Sequence, residues 1–180
     1  MCITIIRADV SHAATIATIG KKSFRNAFEH LFNCKEELFE YLEHTYDPIK
    51  LTKSIRKENN IYLLAMLNDQ PAGFSKIKKH SLNEQIESIA QMELQKIYVL
   101  NEYRGRGVGS ALLNEIMVLT RESCPDYIWL DTHVSNVNAI RLYEKNGFNK
   151  IGKYFFTIGS QTFEYHVMGL QVETICNVAV

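Results

Sequence analysis

Residues 92–113 read MELQKIYVLNEYRGRGVGSALL. The first part, Glu93 to Val99, has the length and apolar content of a strand. Strict alternation would place Glu93, Gln95 and Ile97 on one face and Met92, Leu94 and Lys96 on the other. Three glycines then alternate with two arginines, and an apolar helix is predicted from about Gly107 to Glu122. A glycine turn between strand and helix suits an anion. Glycine lets backbone approach it closely, and the helix start offers unpaired N–H groups and the positive end of its dipole. Arg104 and Arg106 add charge. Spacing narrows the choice of anion. Gly105, Gly107 and Gly109 lie two apart with Ser110 following, so the dinucleotide pattern G-x-G-x-x-G fails, and the turn lies past the middle of the chain instead of in a first strand–helix unit. The Gly-Lys-Ser/Thr ending of a Walker loop is missing. Read alone, the turn is a phosphate grip of another kind, or a tight turn with solvated arginines.

The flanking sequence supplies a frame. Ile3 to Arg7 is short and β-branched, and Ser11 is placed to cap a helix running to about Phe28. Lys35 to His44 carries an apolar stripe of Leu38, Phe39 and Leu42, and a short helix is expected between Pro48 and Asn59. Ile61 to Leu67 is a continuous apolar run of the kind found in central strands, and Asn68-Asp69-Gln70-Pro71 turns it into a partner at Ala72 to Lys78. Residues 79–90 are polar and poorly patterned, hence a loop. Ile128 to Val134 is a strand and Asn138 to Asn146 a helix, with Gly147 suited to stop it. Two last strands are expected at Lys150 to Thr157 and Phe163 to Leu170, turned at Gly159-Ser160. The order β-α-α-β-β-β-α-β-α-β-β implies an α/β fold with a mixed sheet and helices on both faces.

The 180 residues fit one domain, expected at 1–170 with a tail at 171–180. Formal net charge is zero. A global basic field for nucleic acid or an anionic membrane is thus lacking. Cys2, Cys34, Cys124 and Cys176 are scattered without zinc spacing, so free thiols in a reducing compartment are expected and no metal is called for. The stretch MCITIIRADV does not read as a secretory signal, and no apolar run reaches the ~20 residues of a membrane span. The expected setting is cytoplasmic, with no membrane or nucleic-acid partner. A homodimer is compatible with all of this.

Two segments together carry a resemblance. MELQKIYVLNEYRGRGVGSALL contains Arg104, Gly107 and Gly109 of the pattern Arg/Gln-x-x-Gly-x-Gly/Ala, and NVNAIRLYEKNGF at 136–148 matches Asn-x-x-Ala-x-x-x-Tyr-x-Lys-x-Gly-Phe. They resemble the cofactor segments of the GCN5-related N-acetyltransferase (GNAT) superfamily. SFRNAFEHLF at 23–32, YLEHTYD at 41–47 and IWL at 128–130 bring the chain near the PaiA-type spermidine/spermine acetyltransferases, although that branch often has a second acidic residue on the central strand where this chain has Gln95.

The resemblance implies the acyl-CoA N-acyltransferase fold and acetyl-CoA as donor. Its pyrophosphate would meet backbone N–H groups among Arg104, Gly105, Arg106, Gly107, Val108, Gly109 and Ser110. A bulged central strand would pair its backbone at Ile97, Tyr98 and Val99 with the pantetheine arm, and Asn138 would bond that arm as well. Asn136 and Asn138 also suit the capping of a helix start. Tyr143 would protonate the departing thiolate, or else pack as an ordinary helix aromatic. Glu93 matches the family's strand glutamate and would assist deprotonation of the amine. Gln95 could orient a water, and His133, which titrates near neutrality, is a second candidate base.

Acceptor recognition is expected from the early helices. Glu29, Glu36, Glu37, Glu40, Glu43 and Asp47 form an acidic run that would attract a cationic amine or line a solvated face. Phe24, Phe28, Phe32, Phe39 and Tyr41 would pack on its alkyl parts or fill the core. The expected activity is acetyl transfer to a small-molecule primary amine, a polyamine such as spermidine or spermine among the candidates, by direct attack in a ternary complex. A protein N-terminal or lysine acetyltransferase and a non-catalytic CoA sensor are the alternatives.

Overall fold

The computed structural model describes residues 2–172. Seven strands form one sheet in the order β1-β2-β3-β4-β5-β7-β6. They are β1 (Ile3–Arg7), β2 (Asn60–Leu67), β3 (Gln70–Lys79), β4 (Gln91–Val99), β5 (Tyr127–His133), β6 (Asn149–Ile158) and β7 (Gln161–Gln171). Every neighbouring pair is antiparallel except β4 with β5. The helices are α1 (Ala13–Phe28), α2 (Lys35–Thr45), α3 (Pro48–Ile55), α4 (Val108–Ser123) and α5 (Val137–Lys145). The predicted element order and mixed sheet are borne out.

The sheet separates two apolar layers, and β2 shows why its sequence is apolar throughout. Ile61, Leu63, Ala65 and Leu67 join Val108, Leu112, Leu113 and Ile116 of α4 and Ile140 of α5 on one face. Tyr62 and Leu64 join Ile16, Ile19 and Phe24 of α1, Leu38 and Leu42 of α2 and Leu51 of α3 on the other. Each fully buried aliphatic chain of this kind stabilises the fold by about 1.5–3 kcal/mol.

Local chemistry sets the element ends. Asn68 and Asp69 both take positive φ, 48° and 62°, which gives the tight turn that fits the twist of two paired strands. Asp47 caps α3 by accepting from the Lys50 N–H at 2.8 Å, with Pro48 in its first turn. The expected cap at Ser11 is corrected. A 3-10 turn, Val10–His12, precedes α1, and Asp9 caps it by accepting from the Ser11 N–H at 2.8 Å. A carboxylate two residues upstream reaches the free amide where the seryl hydroxyl, itself bonded to Asp9, does not.

At the C-terminal end β7 continues through Gln171, and the Val172 N–H donates to the Asp126 carbonyl at 2.8 Å. The rest of the expected tail, 173–180 with Cys176, lies outside the described residues. Among the described residues no helix is long and apolar enough to cross a membrane.

Tyr46 is fully buried against α1, and a Cβ added at Gly20 would overlap its ring. Alanine normally gains about 1 kcal/mol over glycine inside a helix, whereas overpacking a core costs about 1–3 kcal/mol. The net cost is up to about 2 kcal/mol, so Gly20→Ala is expected to lower Tm by up to about 8 °C for a chain of this size. A melting curve with raised Tm would show that the Tyr46 ring has room to move.

Candidate active site

The site begins where two parallel strands part. β4 and β5 share three pairs only, Gln91↔Tyr127, Met92↔Ile128 and Glu93↔Trp129. Beyond Glu93 the β5-facing edge of β4 has no strand partner, while its other edge stays paired to β3 through Val99. N–H and C=O groups on such an edge need partners.

The β3–β4 register shifts at the same place. Lys76 pairs with Lys96 and Ile77 with Leu94, which leaves Gln95 as an extra residue. A bulge of this kind breaks the alternation of side chains, so the expected faces are corrected. Ile97 and Val99 pack on the α4 side together with Met92 and Leu94. Lys96 and Tyr98 turn to the side of α1–α3, where they line a cavity with Glu93 and Gln95.

The glycine turn lies at the end of the parted strand. Gly105 and Gly107 take φ values of 73° and 83°, the left-handed region where an added Cβ is strained. That conformation reverses the chain so that α4 starts at once at Val108. No side chain caps α4, and its first intrahelical bond is Ala111 N–H to the Gly107 carbonyl. The N–H groups of Val108, Gly109 and Ser110 thus have no helical acceptor behind them. Arg104 and Arg106 are exposed beside them, with the Arg106 guanidinium 5.9 Å from the Tyr103 ring centre. These orphaned donors, with two cations beside them, fit a phosphate group.

On the α1–α3 side the cavity measures about 530 Å3. Aromatic walls come from Phe24, Tyr41, Tyr62, Tyr98, Phe156 and Tyr165, and its charges are Glu93, Asp131, Lys50, Lys76 and Lys96. Glu93 is 9% exposed, and its Oε2 accepts from Ser81 Oγ at 2.7 Å and from Gln95 Nε2 at 3.5 Å. Ser81 belongs to the polar loop after β3. Trp129 Nε1 donates to the Ser81 carbonyl at 2.8 Å, and the Gln91 side chain bonds to Asn83, Ile86 and Ser88. The segment that looked unpatterned is held by these bonds.

Asp131 on β5 faces the same cavity, and its Oδ1 is buried without a hydrogen-bond partner. Burial, and then the charge of Glu93, raise its carboxyl to about 6. Sequence reasoning missed this residue. Its one signal was a carboxylate interrupting the buried strand YIWLDTH. Lys76 and Lys96 were missed as well, because the bulge and the register that bring them together have no mark in the sequence.

Several expected residues lie elsewhere. Tyr143 is 5% exposed on α5, packs 5.8 Å from the Phe148 ring and belongs to the α4-side layer. Burial alone pushes its phenol up. Asn136 caps α5 by accepting from the Ala139 N–H at 3.4 Å, and Asn138 is exposed in the first turn. His133 does not line the cavity. It packs against Phe28, Phe163 and Tyr165, bonds Ser135 Oγ at 2.8 Å, and is held below its usual pKa by burial and by His30.

None of the acidic helix residues lines the 530 Å3 cavity. Glu43 pairs with Lys21 at 2.7 Å, Glu37 accepts from Ser160, and Asp47 caps α3. Glu37 and Glu40 border a separate depression of about 370 Å3 with His44. Of the helix aromatics, Phe24 and Tyr41 reach the main cavity, Phe28 and Phe32 pack in the core, and Phe39 is exposed.

Comparison with known proteins agrees with this architecture. An "Uncharacterized N-acetyltransferase in pepI 3'region" of Lactobacillus delbrueckii subsp. lactis is 22% identical over 158 residues, covering 87% of this chain and 90% of that protein. Human N-acetyltransferase 8B is 30% identical over 78 residues, 43% of this chain and 34% of its own length. Among solved structures, the PaiA N-acetyltransferase of Thermoplasma acidophilum, in complex with coenzyme A, aligns with a TM-score of 0.75 at 19% identity, over 96% of this chain and 100% of that one. The ribosomal-protein-S18-alanine N-acetyltransferase of Escherichia coli aligns with a TM-score of 0.70 at 19% identity, over 99% of each chain. At these identities the two structures show a shared fold. The profile of the Acetyltransferase (GNAT) family matches residues 24–148, which include the parted strand, the glycine turn and the segment through Phe148. The chain belongs to the GNAT family of acetyltransferases.

Proposed function

We propose that the protein transfers the acetyl group of acetyl-CoA, the donor used by this family, to a primary amine held in the cavity beside α1–α3, by direct attack in a ternary complex. The observation that carries this reading is the gap between β4 and β5. A helix start without a side-chain cap lies at its end, and carboxylates face the cavity next to it. Acetyl-CoA supplies an activated thioester. The pyrophosphate is assigned to the N–H groups of the turn 104–110, above all Val108, Gly109 and Ser110, with Arg104 and Arg106 beside them. The free edge of β4 at Ile97, Tyr98 and Val99 pairs with the pantetheine arm, and Asn138 at the start of α5 adds a bond, while Asn136 keeps its capping role. Backbone N–H groups on that edge polarise the carbonyl before attack. Direct attack needs no covalent enzyme intermediate.

Two proton transfers remain for side chains. The amine nitrogen must lose a proton as it bonds the carbonyl carbon, and the sulfur must gain one as the C–S bond breaks. Tyr143 is the proposed donor. Burial raises its phenol and keeps it in the protonated form that a donor needs. Replacing it with phenylalanine keeps the packing and removes the proton. Tyr143→Phe is expected to lower kcat about 100-fold with little change in KM for acetyl-CoA. An unchanged kcat would assign the thiolate's proton to another source.

Glu93 is the proposed base, with Asp131 as its neighbour across the gap. Because the Asp131 carboxyl is raised to about 6, its charge beside Glu93 is complete only above that pH. Activity is therefore gained as pH rises through about 6 and lost below it. Asp131→Asn should remove that limb from the kcat/KM profile. Glu93→Gln takes away one charge that raises Asp131, and so should move the limb to lower pH while cutting the rate. A Glu93→Gln enzyme with the wild-type pH profile would place the base elsewhere.

A further inference from the structure

The ladder sets Lys76 on β3 directly opposite Lys96 on β4, and both line the cavity. Like charges directly opposite one another destabilise a strand pair. Among the described residues neither ammonium has a carboxylate within 4.0 Å. Each lies over an aromatic ring instead, Lys76 5.6 Å from the centre of Tyr62 and Lys96 5.6 Å from that of Tyr46. Such rings hold a cation in a desolvated place without neutralising it. Burial pushes both lysines down, Lys76 to about 8 with Lys96 as the next cause. Glu93 acts on both, but its Oε2 already accepts from Ser81 and Gln95. Lys50 adds a third cation to the same cavity.

The charges fall in two groups. Lys76 and Lys96 face each other across the β3–β4 ladder, while Glu93, on the same strand as Lys96, and Asp131 lie at the β4–β5 gap. A polycation would meet two unpaired ammoniums on one side of this cavity, whereas a bipolar molecule would be matched at both ends. Resting on the amine acetylation proposed above, we propose that the acceptor is a primary amine that itself carries a carboxylate, with its amine toward Glu93 and Asp131 and its carboxylate taken by Lys76 and Lys96. Aromatic walls at Tyr41, Phe156 and Tyr165 receive the apolar part of such a molecule.

The test is calorimetric titration of the full chain, saturated with CoA, using matched probes: L-phenylalanine against L-phenylalaninamide and phenethylamine, L-methionine against its amide, and spermidine. The acids are expected to bind at least about tenfold more tightly than their uncharged-end counterparts and than spermidine, the scale expected for removing one side of a desolvated ion pair. Lys76→Met and Lys96→Met should each abolish that preference and leave binding of the amides within about twofold. In turnover they should raise KM for acid acceptors more than for their amides. Equal or weaker binding of the acids, no measurable binding of either acid, or tightest binding of spermidine overturns the proposal. If a lysine variant fails to melt cooperatively, the wild-type preference alone decides. Thiol release on the same panel separates the two claims. Acid-selective binding without turnover on any amine would sink the acetyltransferase reading and leave the carboxylate subsite standing. Turnover confined to amines without a carboxylate would do the reverse.

Discussion

The parting of β4 from β5 after three residue pairs is the constraint on which the rest of the molecule depends. A parallel pair held together over its whole length would leave no unpaired backbone and no opening through the sheet. Parted, β4 keeps one edge satisfied by β3 and leaves the other for a ligand. The extra residue at Gln95 is placed at the start of that opening. Because of it, Lys96 and Tyr98 turn into the cavity while Ile97 and Val99 anchor the strand to α4. One bulge thereby gives a single strand two jobs, a backbone edge in the gap and side chains in the acceptor cavity. Gly107 completes the arrangement, because its left-handed conformation lets α4 begin directly behind the strand with its first N–H groups free.

Electrostatics divides the cavity more sharply than composition implies. The chain has no net charge, and Glu37, Glu43 and Asp47 of its acidic run are taken up by local contacts. What remains inside is a small set of partly buried ions whose energies are set by desolvation. Asp131 is raised and Lys76 is lowered for the same reason: each charged form has lost water without gaining a close partner. Groups held in this way respond strongly to a ligand that supplies the missing charge.

Much of this was legible in the sequence. Strong apolar periodicity and turn chemistry gave the elements, and two spaced segments gave the family. The glycine turn could be read because its function lies in backbone conformation, which glycine positions mark directly. Side-chain geometry was less legible. Strict alternation put Ile97 with Glu93 and Lys96 opposite, and one unmarked bulge reversed both. The Lys76–Lys96 pairing depends on a register between strands, which no local pattern encodes. The acidic run on α2 looked like a substrate rim, yet Lys21 and Ser160, 22 and 123 residues away in sequence, take up two of its members. Ser81, in a segment with no pattern, turned out to be bonded to Glu93.

Amide hydrogen exchange with and without saturating acetyl-CoA tests the central claim most directly, because it reads the backbone that the claim concerns. If the parted edge and the helix start hold the donor, slowed exchange should be concentrated in residues 95–99 and 107–110, with α1–α3 little changed. Binding of acetyl-CoA that leaves both segments exchanging at their free rate would contradict the account.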